Sequence, residues 1–202
     1  ALMDAFSKYY RANIELKSDD IMFNSGVMLI DMELWKRNNI EDKLISFIKK
    51  HDGKIQQGDQ GALNAVLSCE TYCFDPRFNS VTIFYDFTYE EMLAYRKPPY
   101  FYPKEAVINA VNDPVIIHYT TSFLSRRPWC EGCEHRYKNR WLFYKEISPW
   151  KETKLRSHKS SKYSEFVLSL YKILPSRFAV KLAGILQIYA RPLKNKLAKI
   201  IK

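Results

Sequence analysis

Phe23-Asn24-Ser25-Gly26 runs directly into Val27-Met28-Leu29-Ile30, a polar turn set against an apolar run, and the pairing recurs twice. Gly58-Asp59-Gln60 leads into Ala62-Leu63-Asn64. Val115-Ile116-Ile117 ends on His118-Tyr119-Thr120-Thr121, and the chain continues to Arg126-Arg127-Pro128-Trp129. Polar groups at the ends of buried elements are where α/β enzymes place their chemistry. An amide, a carboxylate–amide pair and a histidine are the parts of a metal-and-sugar site. No one motif is specific; their order and spacing are.

Working outward, residues 21–30 read as an apolar strand, and shorter strands are expected over 71–74 and 115–119, with 81–87 a strand or a loop. Helical periodicity is expected over 32–38, 40–50, 59–68, 89–96, 104–111 and 139–147. In the 40–50 helix, Ile40, Leu44, Ile45, Phe47 and Ile48 are expected to face inward. In the 59–68 helix the buried set is Ala62, Leu63, Ala65, Val66 and Leu67. Asp59 lies in the first turn of that helix, where a carboxylate complements the helix dipole and needs no further reason. Gln60 has no such reason. Short apolar strands alternating with helices predict an α/β domain with a mainly parallel sheet.

The length, 202 residues, suits one domain with an appendage, and 47% hydrophobic residues are ample for a core. The net charge of +10 is unevenly spread. Residues 1–150 hold 19 Lys+Arg against 20 Asp+Glu, and residues 151–202 hold 13 against 2. The body is neutral and the tail basic, which speaks to what the tail touches rather than to the fold. There is no run long and apolar enough for a transmembrane helix and no visible signal peptide. Ala1-Leu2-Met3-Asp4 reads as the middle of a protein. Cys130-Glu131-Gly132-Cys133-Glu134-His135 has half the spacing of a zinc site, which Cys69 and Cys73 can in principle complete. Reduced thiols beside a turn glycine are the plainer reading.

Taken together, residues from about Asp20 to Trp150 resemble the second half of a family 8 glycosyltransferase. The ordered set is Phe-Asn-Ser-Gly-Val-Met-Leu-Ile, Asp59-Gln60 opening a helix, Phe78-Asn79, Pro-Val-Ile-Ile-His-Tyr, Arg-Pro-Trp and Ser148-Pro149-Trp150. The Phe-Leu-Ser-Arg-Arg-Pro-Trp-Cys-Glu-Gly variant is similar to bacterial members that build surface polysaccharides. The resemblance implies a fold class of α/β type, the C-terminal part of a GT-A (Rossmann-like) domain, over residues 1–150. It implies a retaining enzyme that moves a hexose from a UDP-sugar to a lipopolysaccharide, capsular or other surface glycan.

Roles follow from the resemblance residue by residue. His118 is the metal ligand from this half, for Mn²⁺ (or Mg²⁺) held by the nucleotide diphosphate. Arg127 matches the basic residue on the leaving diphosphate, with Arg126 the neighbour able to share the work. Asn24 lines the sugar site. Asp59 and Gln60 form the pair at the reacting face, one on sugar hydroxyls and one near the anomeric carbon. An amide is a poor nucleophile, so a front-face path through an oxocarbenium-like state is easier to defend than a covalent intermediate.

Three departures qualify this. Gly61 stands where the family commonly has a further acid. The stretch between His118 and Pro128 is longer than in the shortest members and has Thr121 and Ser122 in place of glycine. The family's Asp-x-Asp metal motif and uridine-binding strand lie before the position of Asp20, and Asp31-Met32-Glu33 follows the wrong strand to replace them. The expectation is therefore a chain lacking the N-terminal half of the domain. The alternative is a non-catalytic remnant, a membrane-tethered glycan- or partner-binding module.

Residues 151–162 read as a polar basic linker. Residues 163–202 read as an amphipathic tail, with helices over 163–174 and 178–189 and with Lys172, Arg177, Lys181, Arg191 and Lys194 among apolar residues. That pattern suits an anionic membrane surface and predicts a cytoplasmic protein peripheral on the inner face of the cytoplasmic membrane. No basic-aromatic motif of a known nucleic-acid module is present, so no nucleic-acid partner is expected.

Overall fold

The computed structural model describes residues 8–17, 20–96, 101–122, 124–157, 162–190 and 193. The chain divides into two compact units: residues 1–75, 96–103 and 185–202, and residues 76–95 and 104–184. Each is built around short helices. The expected class, α/β with a parallel sheet, is what the chain has, although the sheet is small.

In the first unit, α1 (Lys8–Asn13) leads through a turn to the non-helical segment holding Phe23 and Asn24. Arg11 is buried, and its guanidinium donates to the carbonyls of Lys17 and Asp20, closing that turn. Helix α2 (Met32–Arg37) is capped by Asp31, whose Oδ1 accepts from the N–H groups of Glu33 (2.9 Å) and Leu34 (3.0 Å). A helix cap is thus the work of Asp31. Helices α3 (Ile40–Lys50) and α4 (Asp59–Leu67) pack together over a core of Ile14, Leu16, Met22, Phe47 and Ala62.

Two inward faces differ from expectation. Ile40, Leu44 and Phe47 follow the i, i+4, i+7 stripe of one helical face and turn inward. Ile45 and Ile48 stand off that stripe and are 41% and 42% exposed. In α4 the deepest side chain is Asn64, fully buried, a polar residue among apolar ones.

The strand expected over residues 21–30 does not form, and Asn64 explains how the segment is held instead. The amide of Asn64 closes on the Phe23 backbone from both sides. Its Oδ1 accepts from the Phe23 N–H at 2.8 Å, and its Nδ2 donates to the Phe23 carbonyl at 2.9 Å and to the Gln60 carbonyl at 2.8 Å. One side chain thus satisfies both backbone polar groups of this residue. Beyond it the chain turns at Ser25-Gly26, and Val27–Ile30 have no strand partner among the described residues. They line an open apolar cavity of about 690 Å³ with Leu34, Trp35 and Tyr72. Residues 71–74, expected as a strand, border the same cavity and are likewise non-helical without a ladder.

In the second unit, β1 (Ser80–Val81) and β2 (Ile117–His118) pair in parallel, Ser80 with Ile117 and Val81 with His118. The crossover runs through α5 (Ile83–Asp86), α6 (Tyr89–Arg96) and α7 (Lys104–Asn112), as a parallel pair requires. Strand β1 is short because Thr82 already has helical φ/ψ, and a strand extends only as far as its partner. Of residues 81–87, read as strand or loop, Val81 ends β1 and residues 83–86 are helix α5, and residues 115–119 shrink to β2. The pair is fixed at its start. The Arg77 carbonyl accepts from the N–H groups of Val115 (2.9 Å) and Ile116 (3.0 Å), and the Arg77 guanidinium bonds Asp113. Buried Ser80 donates to the Ala110 carbonyl at 2.8 Å and shares a hydrogen bond with Tyr85. Burial pushes the Tyr85 hydroxyl up to about 12.

Helix α8 (Lys138–Glu146) follows, then the tail helices α9 (Lys162–Ile173) and α10 (Ser176–Ile185). Tyr171 of α9 meets the ring of Phe87 edge-on, and Ala179, Val180 and Ala183 of α10 are buried. A Cβ on Gly184 would stand 2.6 Å from the Tyr95 carbonyl oxygen, so α10 packs directly on backbone there. Ala1-Leu2-Met3-Asp4, read as the middle of a protein, lie outside the described residues, as do Arg191 and Lys194 of the tail.

Replacing Asn64 by leucine keeps the volume and leaves the Phe23 N–H and carbonyl buried without partners. We expect a loss of about 2–4 kcal/mol in the unfolding free energy from urea titration, since each buried unpaired polar group costs about 1–3 kcal/mol. A loss under half a kcal/mol would show that this bridge does not hold the segment.

Candidate functional site

The sequence-selected residues fall into two groups, one in each unit. In the first unit Asn24 and Gln60 come together. The Asn24 Nδ2 donates to Gln60 Oε1 at 3.1 Å, and the Ser25 N–H donates to the same oxygen at 3.3 Å. The Gly26 N–H donates to Asn24 Oδ1 at 3.0 Å. Backbone N–H groups can only donate, so both side-chain amides have one allowed orientation. Gln60 therefore has its carbonyl oxygen occupied twice over, and its Nε2 hydrogens are what it offers a ligand. The amide is a hydrogen-bond donor here, not an oxygen nucleophile.

Asp59 precedes it at the exposed start of α4. The turn before it is built from left-handed residues, Asp52 (φ 49°), Gln57 (φ 70°) and Gly58 (φ 61°), which bring the chain back over the helix. That return explains Gly61. A Cβ on Gly61 would fall on the Gln56 carbonyl oxygen, far inside van der Waals contact, and 2.9 Å from the Ile55 side chain. The acid common in the family at this place does not fit this turn.

In the second unit His118 and Arg127 come together. His118 ends β2 and is half-buried, with its Nδ1 2.9 Å from the Oδ1 of buried Asn79. Burial, and then the Arg127 guanidinium, hold the imidazole below its ordinary value, so it is neutral near pH 7. Arg127 is fixed twice, by a hydrogen bond from its Nη2 to Thr121 Oγ1 and by stacking over Trp129 at 5.2 Å. Its Nε is buried without a partner. Trp129 in turn meets Trp141 at 6.1 Å. Thr121, which stands in place of a glycine, thus contributes a side-chain oxygen. Arg126 points elsewhere: its Nη1 donates to the Glu131 carbonyl at 3.0 Å and covers Gly132. It braces the Cys130–Cys133 turn.

The Cys133 thiol braces that turn too, donating its S–H to the Arg126 carbonyl at 2.9 Å, and the backbone at Cys130 forms a parallel β-bridge with Arg156. Among the described residues no group of three or more His, Cys, Asp or Glu stands ready to hold a metal ion. His118 offers one imidazole nitrogen to a cation, a single ligand and not a coordination sphere. His135 is buried between the rings of Tyr85 (4.7 Å) and Tyr119 (4.9 Å), and burial lowers its pKa against the opposing pull of Asp86.

Sequence reasoning marked Asn79 only as part of a motif and gave no role to Asn64, Thr121 or Trp129. A signal for Asn79 was present: a polar residue just ahead of Ser80-Val81, matching the placing of the other motifs. Burial of Asn64 was not legible, because α4 is apolar on most sides.

Residues 5–132 match the model for Glycosyl transferase family 8. The chain is 31% identical over 130 residues to General stress protein A of Bacillus subtilis, covering 63% of this chain and 42% of that protein. It is 26% identical over 137 residues to Glycosyltransferase GlyA of Streptococcus pneumoniae, covering 68% of this chain and 17% of that protein. It is 28% identical over 137 residues to Lipopolysaccharide glucosyltransferase WaaO of Escherichia coli, covering 66% and 35%. The chain therefore spans less than half the length of these curated relatives. No solved structure matches it.

Gly61→Ala should destabilise the first unit by about 2 kcal/mol or more, since backbone must move to admit the methyl group; urea melts that coincide with wild type would contradict this. The two depressed histidines set a pH dependence. An unfolded imidazole takes a proton near pH 6.5, and the folded ones take it only lower, so the unfolded chain binds more protons in between. Stability should be full above that value and fall as the pH drops through it. His118→Gln and His135→Gln should each flatten the slope of melting temperature against pH.

Proposed function

The chain belongs to glycosyl transferase family 8, and from that premise we propose that a protein of the relatives' full length containing this sequence is a retaining hexosyltransferase. Its donor is a UDP-sugar and its acceptor a lipopolysaccharide, capsular or other cell-surface glycan. The carrying observation is the Asn24–Gln60 pair, whose hydrogen bonds occupy the Gln60 oxygen and leave its Nε2 as the group it offers a ligand. Donors of that kind suit sugar hydroxyls and the ring oxygen, and Asp59 beside them accepts from hydroxyls. The name of the Escherichia coli relative, a lipopolysaccharide glucosyltransferase, supports the acceptor class.

Arg127 answers a second requirement. Breaking the bond between sugar and diphosphate leaves negative charge on a phosphate oxygen, and a pre-fixed guanidinium stabilises that charge without reorganising during the reaction. Trp129 and Thr121 fix it. With Gln60 engaged through its oxygen, the sugar's reacting carbon meets no nucleophile from it, which favours a front-face path through an oxocarbenium-like state. A divalent cation, Mn²⁺ or Mg²⁺, would add positive charge on the diphosphate oxygens, with His118 as one ligand. The described residues do not complete such a site.

The tail supports a place for this work. Helix α10 buries Ala179 and Val180, yet Phe178 (70% exposed), Leu182 and Ile185 form an outward stripe at i, i+4, i+7 beside exposed Lys181. Phe166 and Ile173 of α9 are also exposed. No helix among the described residues is long and apolar enough to cross a membrane. Apolar side chains flanked by lysines suit a surface-lying helix on anionic lipid, and we place the protein on the inner face of the cytoplasmic membrane. The same stripe is what favours the second reading, a membrane-tethered glycan- or partner-binding module without catalysis.

In a full-length protein, Gln60→Ala or His118→Ala should lower hexose transfer by about 10²-fold or more, the scale of losing a transition-state donor. Near wild-type transfer in both would remove the site assignment. Calorimetric titration of UDP into the 202-residue chain, with and without Mn²⁺, reads how much of the donor site these residues hold: manganese-dependent binding means a more complete donor site than expected, and none means half a site, with transfer to be sought in a protein of the relatives' full length. On vesicles carrying anionic lipid, the full chain should float and the Phe178→Glu, Leu182→Glu variant should not; equal flotation would end the membrane reading.

A further inference from the structure

We propose that Asn79 is the positioning residue of His118: its side-chain carbonyl holds the imidazole as the Nδ1–H tautomer and leaves the Nε2 lone pair as the acceptor the ring presents. Asn79 is 4% exposed and ends the short turn Pro76–Asn79 that enters β1. It stands two residues before Val81, which pairs with His118 across the sheet. Asn79 Oδ1 lies 2.9 Å from His118 Nδ1. A carbonyl oxygen only accepts, so Nδ1 carries the hydrogen.

Neither partner is free to slide. The Arg77 carbonyl accepts two N–H groups from the chain entering β2, and the Ser80 N–H donates to the Ile116 carbonyl at 2.9 Å. The buried Ser80 hydroxyl is anchored on Ala110. Free imidazole favours the opposite tautomer, with hydrogen on Nε2, so the arrangement is imposed by the fold. It also divides labour within the unit. His118 Nε2 takes a hydrogen-bond donor or a cation from a ligand, and Arg127, fixed by Thr121 and Trp129, takes an anion. A histidine with Nε2–H would repel the cation and compete with Arg127 for the anion. The inference deepens the reading of His118 given above, but the tautomer is a property of this chain alone.

The test uses the unliganded 202-residue chain with ¹⁵N-labelled histidine, read by two-bond proton–nitrogen correlation at a pH where the ring is neutral. The chain has four histidines, and loss of a signal in His118→Gln assigns the one needed. The wild-type ring should show a protonated Nδ1 and a lone-pair Nε2. Asn79→Leu should shift the population to Nε2–H, and Asn79→Asp, which keeps an acceptor there, should retain Nδ1–H. A wild-type His118 with hydrogen on Nε2, or a Leu variant that folds and shows an unchanged ring, would overturn the proposal. The wild-type and Asp spectra decide it even where the Leu variant fails to fold. Neither outcome touches hexose transfer, which the full-length assay reads separately.

Discussion

Everything the first unit offers a ligand depends on one buried amide. Asn64 satisfies the Phe23 N–H and carbonyl at once and reaches back to the Gln60 carbonyl, so it ties the non-helical segment to the first turn of α4. Those are the two pieces that carry Asn24 and Gln60. With Phe23 clamped, Asn24 and Ser25 have little choice but to meet Gln60 Oε1. A buried, fully satisfied amide network specifies geometry in a way an apolar contact does not, because a shift of an ångström leaves polar groups unpaired in a medium that does not solvate them.

The second unit solves the corresponding problem with a parallel pair of strands two residues long. So short a pair has little stability of its own, and the carbonyl of Arg77, the hydroxyl of Ser80 and the Arg77–Asp113 ion pair supply what the ladder lacks. The result is a half-buried imidazole at a strand end with one nitrogen committed, and an arginine whose position is set by an indole and a hydroxyl. In both units a charged or polar group is held by neighbours that have no other evident task. Such pre-organisation is what a site for a charged, hydroxyl-rich substrate needs, since groups already in place do not have to be ordered when the substrate arrives.

Most helices were legible from sequence to within a residue or two; α5, read as strand or loop, was not, and α10 ends before the 178–189 expected. Helices α3 and α6 begin and end where periodicity puts them, and α2, α4, α7 and α8 differ only at their ends. A helix carries its hydrogen bonds within itself, so a local pattern is enough to specify it. The strands were not legible, because the apolar runs of residues 21–30 and 71–74 become strands only if another backbone lies alongside. Inward faces failed for a similar reason: Ile45 and Ile48 are as apolar as Phe47, and only the position of α4 decides which of them is covered.

By itself the sequence determined the family, most of the helices and the parallel α/β character, and it marked the candidate site residues, because motif order and helical period are properties of the chain read along its length. The tertiary structure decided what those residues can do. It turned Gln60 into a donor by occupying its oxygen, excluded a side chain at Gly61 by bringing the Gln56 carbonyl against it, and separated Arg127 from Arg126, two adjacent residues of one type. It also chose Asn79 as the partner of His118. Each of these is set by hydrogen bonds and contacts between residues far apart in sequence, and such contacts exist only once the chain has folded.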